Sequence, residues 1–278
     1  MSMFKPACKK QQKLRLLIEG ASGSGKTYSA LLIAKALGKK IAVIDTEKGS
    51  ASLYDKLVKF DTCELTPPFT PEKFIGAIKE AENNNYDVLI IDSITHEWSG
   101  KGGCLDLQTN LGGRYQDWAK VTPRHNAFID AILQSNLHII ATARTKTDYE
   151  MTENNGKKKV EKVGLKTEQR DGLDFEFTLV FRLNENHVAT ATKDRTSLFN
   201  GKEGVIDEEF GNILLEWLND GEKYDGKVTD LDMQIYEKVA TCQTVEELEA
   251  LWKTQKENVS DVDTFKELCA SRKGVIIG

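Results

Sequence analysis

Short apolar runs alternate along the chain with longer stretches in which apolar positions recur at helical spacing. Leu14, Leu16, Leu17 and Ile18 predict a buried strand, and Ala30, Leu31, Ile33, Ala34 and Leu37 give a helix over Tyr28–Leu37 its packing face. A second strand spans Lys40–Asp45, and residues 51–60 suit a helical turn. Thr70-Pro71 opens the next helix, with a capping residue and then proline at the first helical position. Its apolar face is Phe74, Ile75, Ala77, Ile78 and Ala81, and Asn83-Asn84-Asn85 ends it. Tyr86-Asp87-Val88-Leu89-Ile90-Ile91-Asp92 is a continuous apolar run closing on an aspartate, as expected of a strand covered on both faces. Residues 99–113 are rich in glycine and loop-like, Thr122-Pro123 opens a helix to about Ser135, and Leu137–Ala143 forms a fourth strand.

Beyond that strand the pattern lapses. Residues 145–170 show no hydrophobic periodicity and predict a loop. Alternation returns at Phe175, Phe177, Leu179, Phe181 and Leu183, pairing with 187–192 as a hairpin across Asn184-Glu185-Asn186. A short helix covers 207–218, and three more follow residue 228, one opened by the capping box Thr244-Val245-Glu246-Glu247. Strands alternating with helices predict a three-layer α/β fold with a mostly parallel sheet. The expected organisation is a basic tail (1–12), an α/β core (13–219), a linker (220–228) and a helical C-terminal domain (229–278).

Composition narrows this only slightly. The net charge of −5 excludes a surface that attracts nucleic acid as a whole, so any such contact needs a local basic patch. The five cysteines are scattered, odd in number and without a C-x-x-C pair, which argues for free thiols and against zinc. The four histidines are dispersed and are expected to be structural. No run reaches membrane-spanning length, and the expected location is the cytosol.

Chemistry concentrates at the first strand's end. Gly20-Ala21-Ser22-Gly23-Ser24-Gly25-Lys26-Thr27 fits G-x-x-x-x-G-K-[ST], between a strand and a helix that continues with Tyr28. Its glycines let backbone N–H groups approach a polyphosphate at the positive end of a helix dipole. Lys26 is placed to reach the β- and γ-phosphates, and the Thr27 hydroxyl to ligate Mg²⁺. Ligands of parallel sheets bind at the strands' carboxyl ends, where the other strands offer Asp45 and Glu47, Asp92, and Thr142 and Arg144. Asp92 is the candidate metal-supporting carboxylate and Glu47 the candidate base that polarises water. Thr142 or Arg144 is the candidate sensor of the terminal phosphate.

Together, Asp45-Thr46-Glu47 after an apolar strand, Leu89-Ile90-Ile91-Asp92-Ser93 before a glycine-rich loop, and the polar-ended strand at 139–144 resemble the RecA-type ATPase core. Lys193-Asp194-Arg195 resembles the K-x-R finger that RecA-fold subunits insert into a neighbour's nucleotide site. Residues 168–175 are similar to those of bacteriophage RecA-like AAA-domain NTPases, some of which anneal single strands. The resemblance covers about residues 14–200. It implies ATP and Mg²⁺ as ligands, Lys26 and Glu47 in catalysis, Lys193 and Arg195 acting in a ring or filament of identical subunits, and single-stranded DNA as partner. It places DNA contacts in 99–114 (Lys101, Arg114, with Trp98 and Tyr115 for stacking) and 146–170 (Lys157, Lys158, Lys159, Lys162, Lys166, Arg170). A single-strand-binding protein or replisome component would suit the helical tail, and a bacterial host's cytosol would be the setting. Three rivals remain: a non-hydrolysing annealing module, a kinase, whose arginine-rich lid is missing here, and a helicase loader or motor.

Overall fold

The computed structural model describes residues 9, 11–154, 157–221, 230–256, 258–259 and 262–277, and contacts divide the chain into two compact units, 1–221 and 222–278. Most of the expected linker, and most of the basic tail, fall outside the described residues. Of that tail, Lys9 pairs with Asp220 at 2.8 Å and sits over the Trp217 ring.

Among the described residues, the first unit is built on a nine-stranded sheet. In chain order the strands are β1 (Arg15–Gly20), β2 (Ile41–Asp45), β3 (Asp61–Glu64), β4 (Val88–Asp92), β5 (His138–Asn154), β6 (Lys157–Thr167), β7 (Leu179–Leu183), β8 (Val188–Asp194) and β9 (Glu203–Val205). Their spatial order is β3-β2-β4-β5-β1-β7-β8-β9, with β6 paired to the far part of β5. From β3 to β7 neighbours are parallel, and β8 and β9 add antiparallel pairs at one edge. Alternation sorts side chains between two apolar layers. Leu16 and Ile18 of β1 pack with α1 (Lys26–Leu37) and α6 (Glu208–Asn219), through Leu31, Ile33, Leu214 and Leu218. Leu17 packs on the opposite side with α2 (Pro71–Asn83) and α5 (Trp118–Gln134), through Phe74, Ile78, Phe128 and Ile132. The result is the three-layer α/β fold that the pattern predicts.

Several expectations are corrected. The helical turn expected within 51–60 is present as a 3₁₀ turn at Ser50–Tyr54, but β3 follows it unforeseen because its four residues are all exposed and carry no apolar signal. The stretch 99–113 is largely helical, with α3 (Thr95–Ser99) running up to it and α4 (Cys104–Asn110) inside it. Helix α5 starts before Thr122-Pro123 and carries Pro123 inside. The hydrogen bond that proline forfeits there is offset by packing: Trp118 stacks on Trp98 at 5.3 Å and Val121 is fully buried. Residues 145–170 are mostly a long antiparallel hairpin, β5 with β6, whose polar strands lack the apolar face by which periodicity would reveal them. Alternation at 175–183 shortens to a 3₁₀ turn (Leu173–Glu176) and β7.

The second unit holds α7 (Asp230–Thr241), α8 (Val245–Gln255) and α9 (Val262–Ile277) around Ile235, Val239, Leu248 and Phe265. Thr244 and Glu247 form the capping box at the start of α8. No helix among the described residues is long and apolar enough to cross a membrane.

Candidate nucleotide site

The loop between β1 and α1 turns where only glycine is comfortable. Gly23 and Gly25 have φ of 80° and 90°. At Gly20 the need is space: a Cβ would lie 2.5 Å from Ser24 Oγ and 2.8 Å from the Leu183 carbonyl oxygen. A pocket of about 480 Å³ opens at this loop, lined among others by Gly25, Lys26, Thr27, Glu47, Asp92 and Arg144. The strand ends converge because β1, β4 and β5 are adjacent and parallel, and Gly20 stands in register with Arg144.

Lys26 is buried and donates to the carbonyls of Gly20 (3.0 Å) and Ala21 (2.8 Å), which anchors its ammonium to the loop. Burial lowers its pKa, opposed by the Asp92 and Glu47 carboxylates. Asp92 accepts from the Thr27 hydroxyl through Oδ2 (2.5 Å) and from the Thr142 hydroxyl through Oδ1 (2.5 Å). Burial pushes its pKa up, and these two hydrogen bonds pull it back. Thr142 is fully buried and so positions Asp92 instead of meeting a phosphate. Glu47 lies across the pocket, its Oε1 2.7 Å from Arg144 Nη2. Asp45 turns the chain into that position, accepting from the backbone N–H of Glu47 (2.6 Å) and Ala51 (3.1 Å).

These groups fit a magnesium nucleotide. Thr27 and Asp92 present hard oxygen donors side by side, the kind Mg²⁺ takes in small number. Ser24 Oγ is buried in the loop without a partner, and the pocket holds one ammonium and one guanidinium for anionic oxygens.

Other expected residues lie elsewhere. Lys193 and Arg195 donate to backbone carbonyls of their own chain, Lys193 to Asp174 (2.9 Å) and Phe175 (2.5 Å), Arg195 to Phe175 (3.2 Å). They sit at the end of β8 away from the loop, since Lys193 pairs with Val180 and Leu183 with Ala189. Lys101 is exposed, Arg114 neighbours Asp117 at 3.5 Å, and Tyr115 is 92% exposed. Trp98 is taken up by stacking on Trp118 and an edge contact with His125. The backbone of Lys157, Lys158, Lys159 and Lys162 runs along β6, and their side chains lie outside the described residues. Lys166 pairs with Asp171 (2.7 Å), and Arg170 reaches Asn126 (3.4 Å).

Each histidine has a polar partner. His96 meets Thr46, His138 accepts from the Leu14 N–H, and His187 meets the Ser24 carbonyl. His125 joins a buried triad in which Glu97 Oε1 accepts from Cys104 Sγ (3.0 Å) and lies 3.1 Å from His125 Nδ1. The triad is closed by its own hydrogen bonds. Spacing alone did not mark His187, Val205 or Ile206 as pocket residues, because the β7–β8 turn and the end of β9 that deliver them are remote in sequence, and Tyr54 reaches the pocket from the 3₁₀ turn after β2.

Comparison with known proteins agrees with this geometry. The AAA domain family matches residues 12–207. The DNA repair and recombination protein RadB of Thermococcus kodakarensis is 30% identical over 151 residues, 49% of this chain and 67% of that protein. The protein of the same name from Thermococcus gammatolerans is 26% identical over 151 residues, 49% of this chain and 66% of its own length.

Proposed function

Given that the chain belongs to the AAA domain family of RecA-like P-loop ATPases, we propose that it binds and hydrolyses Mg²⁺-ATP and acts on single-stranded DNA in recombination or annealing. One observation carries the reading: Lys26, Thr27, Glu47, Asp92 and Arg144 line a single pocket although they come from four separate stretches of chain.

In this reading loop N–H groups and Lys26 hold the β- and γ-phosphates. Thr27 and Asp92 hold Mg²⁺, which neutralises charge on the phosphate oxygens. Glu47 accepts a proton from the attacking water, and Arg144 offsets charge on the terminal phosphate. Lys193 and Arg195 reach the site of the next subunit in a ring or filament. The name of the Thermococcus relatives supports work on DNA, and the β5–β6 hairpin and the 99–114 segment are the surfaces for it. A bacteriophage origin, a cytoplasmic setting and a single-strand-binding or replisome partner for the helical unit belong to the same proposal.

The test is ATP turnover and particle size with and without single-stranded DNA. DNA-stimulated turnover together with larger particles is expected. Nucleotide binding without turnover would leave the annealing module, and strand displacement would favour a motor.

A further inference from the structure

His187 stands in the turn joining β7 to β8 and has φ of +64°, a left-handed conformation that histidine, like asparagine and aspartate, adopts more readily than most side chains. The turn enforces it. Asn184 Oδ1 accepts from the N–H of Asn186 (2.9 Å) and Val188 (3.1 Å), and the His187 N–H donates to the Asn184 carbonyl (3.1 Å). The ring thereby meets the phosphate loop: His187 Nδ1 lies 3.0 Å from the Ser24 carbonyl oxygen. A carbonyl only accepts, so Nδ1 carries the proton. The approach is close enough that a Cβ on Gly25 would come within 3.0 Å of the same nitrogen.

The consequence follows from the planarity of one peptide. The Ser24–Gly25 bond is trans, so its C=O and N–H point in opposite directions. His187 and Gly25 line the same pocket as Lys26 and Thr27, so fixing the Ser24 oxygen on the ring fixes the plane of this peptide and with it the direction of the Gly25 N–H at the pocket wall. We infer that His187 is a positioning residue for phosphate: through the Ser24 carbonyl it presets the Gly25 N–H as a donor to the polyphosphate of a bound nucleotide. It acts through the loop. The inference rests on the nucleotide reading above and adds to it a support from outside the G-x-x-x-x-G-K-[ST] motif.

Asparagine and leucine separate the hydrogen bond from packing. Asn Nδ2 stands the same number of bonds from the backbone as His Nδ1, and asparagine tolerates positive φ. Leucine fills the space without a donor. Binding of Mg²⁺-ATP and of Mg²⁺-tripolyphosphate is measured calorimetrically for the full chain, for H187N and for H187L, with K26A as the non-binding control and thermal midpoints as the check on folding. His187→Leu should weaken both ligands by about five- to tenfold, the net worth of one hydrogen bond. The factor should be the same for both, since the base plays no part, and His187→Asn should restore most of it. Equal binding by H187L, failure of H187N to recover, or a loss confined to ATP overturns the inference. A wild-type chain that binds neither ligand overturns the nucleotide reading itself.

Discussion

Arg144 donates from Nη2 (2.7 Å) and Nε (3.1 Å) to one oxygen of Glu47, Oε1. The proposed base is therefore held by a residue whose own backbone is tied elsewhere. The Arg144 N–H donates to Thr95 Oγ1 (2.9 Å), and its carbonyl accepts from Glu168 N–H (2.7 Å), at the root of the β5–β6 hairpin. A carboxylate kept in place this way can take a proton without having to be ordered first. Glu47→Gln keeps the shape and removes the base. Steady-state turnover should fall roughly 10²- to 10⁴-fold while nucleotide affinity stays nearly unchanged. Unchanged turnover removes Glu47 from the chemistry, and lost affinity makes it a binding residue.

The same link predicts a route from DNA to the site. If DNA engages the hairpin, its root shifts Arg144, and Arg144 carries the shift to Glu47. Arg144→Ala should therefore abolish the difference between turnover with and without single-stranded DNA, whatever it does to the basal rate. The ratio of the two rates is the measurement. An intact ratio in the variant means that any stimulation bypasses this side chain.

How much of this was legible in the sequence varies with the physics behind each part. The phosphate loop is local: its glycines, lysine and threonine are contiguous and flanked by a strand and a helix, so a linear pattern contains it. Asp92 and Glu47 follow apolar runs whose parallel pairing brings strand ends together, and strand ends can be located from hydrophobicity. The hairpin was not legible, since its sequence is polar and carries no alternation of apolar positions. Nor was the contact of His187 with Ser24, which depends on β7 lying beside β1, 163 positions away in sequence. Trp98 and Tyr115 show the limit differently. Both are aromatic residues in the expected DNA segment, yet Trp118 claims one ring and the other stays exposed.

His138 makes stability depend on pH. It is buried and accepts the Leu14 N–H at 3.0 Å, which requires a neutral Nδ1. Burial, with help from Lys13 and Arg15, lowers its pKa to about 3. Between that value and the ordinary 6.5, the unfolded chain binds a proton that the folded chain does not. Unfolding free energy thus rises with pH across this window. The stabilisation is complete above the unfolded pKa and is lost as pH falls through the folded one. Its size is on the order of a few kcal/mol. Urea midpoints should drop between about pH 7 and pH 4.5, and His138→Gln should flatten that slope even if it lowers stability at both ends. A variant with the wild-type slope would assign the acid sensitivity to other groups.

Salt is the discriminating variable for the DNA surfaces. Each phosphate neutralised on a single strand contributes about −0.7 to the slope of log affinity against log salt. Lys166 and Arg170 already have partners at the hairpin base, Asp171 and Asn126. The remaining contribution is assigned to Lys157, Lys158, Lys159 and Lys162, which together should give a slope near −3, allowing about −0.7 for each. Replacing Lys158 and Lys159 with glutamine should flatten it by about 1.4 and weaken binding most at low salt. Tyr115 is a different kind of contact. A ring that is 92% exposed suits a base better than a phosphate. Tyr115→Ala should therefore cost about 1–3 kcal/mol of binding at every salt concentration and leave the slope alone. Fluorescence anisotropy with an unstructured oligonucleotide, titrated at four ionic strengths, separates the two effects. If the lysine pair changes neither slope nor affinity, the hairpin is not the DNA-contacting surface; if Tyr115→Ala changes nothing, the 99–114 segment lies off the DNA path.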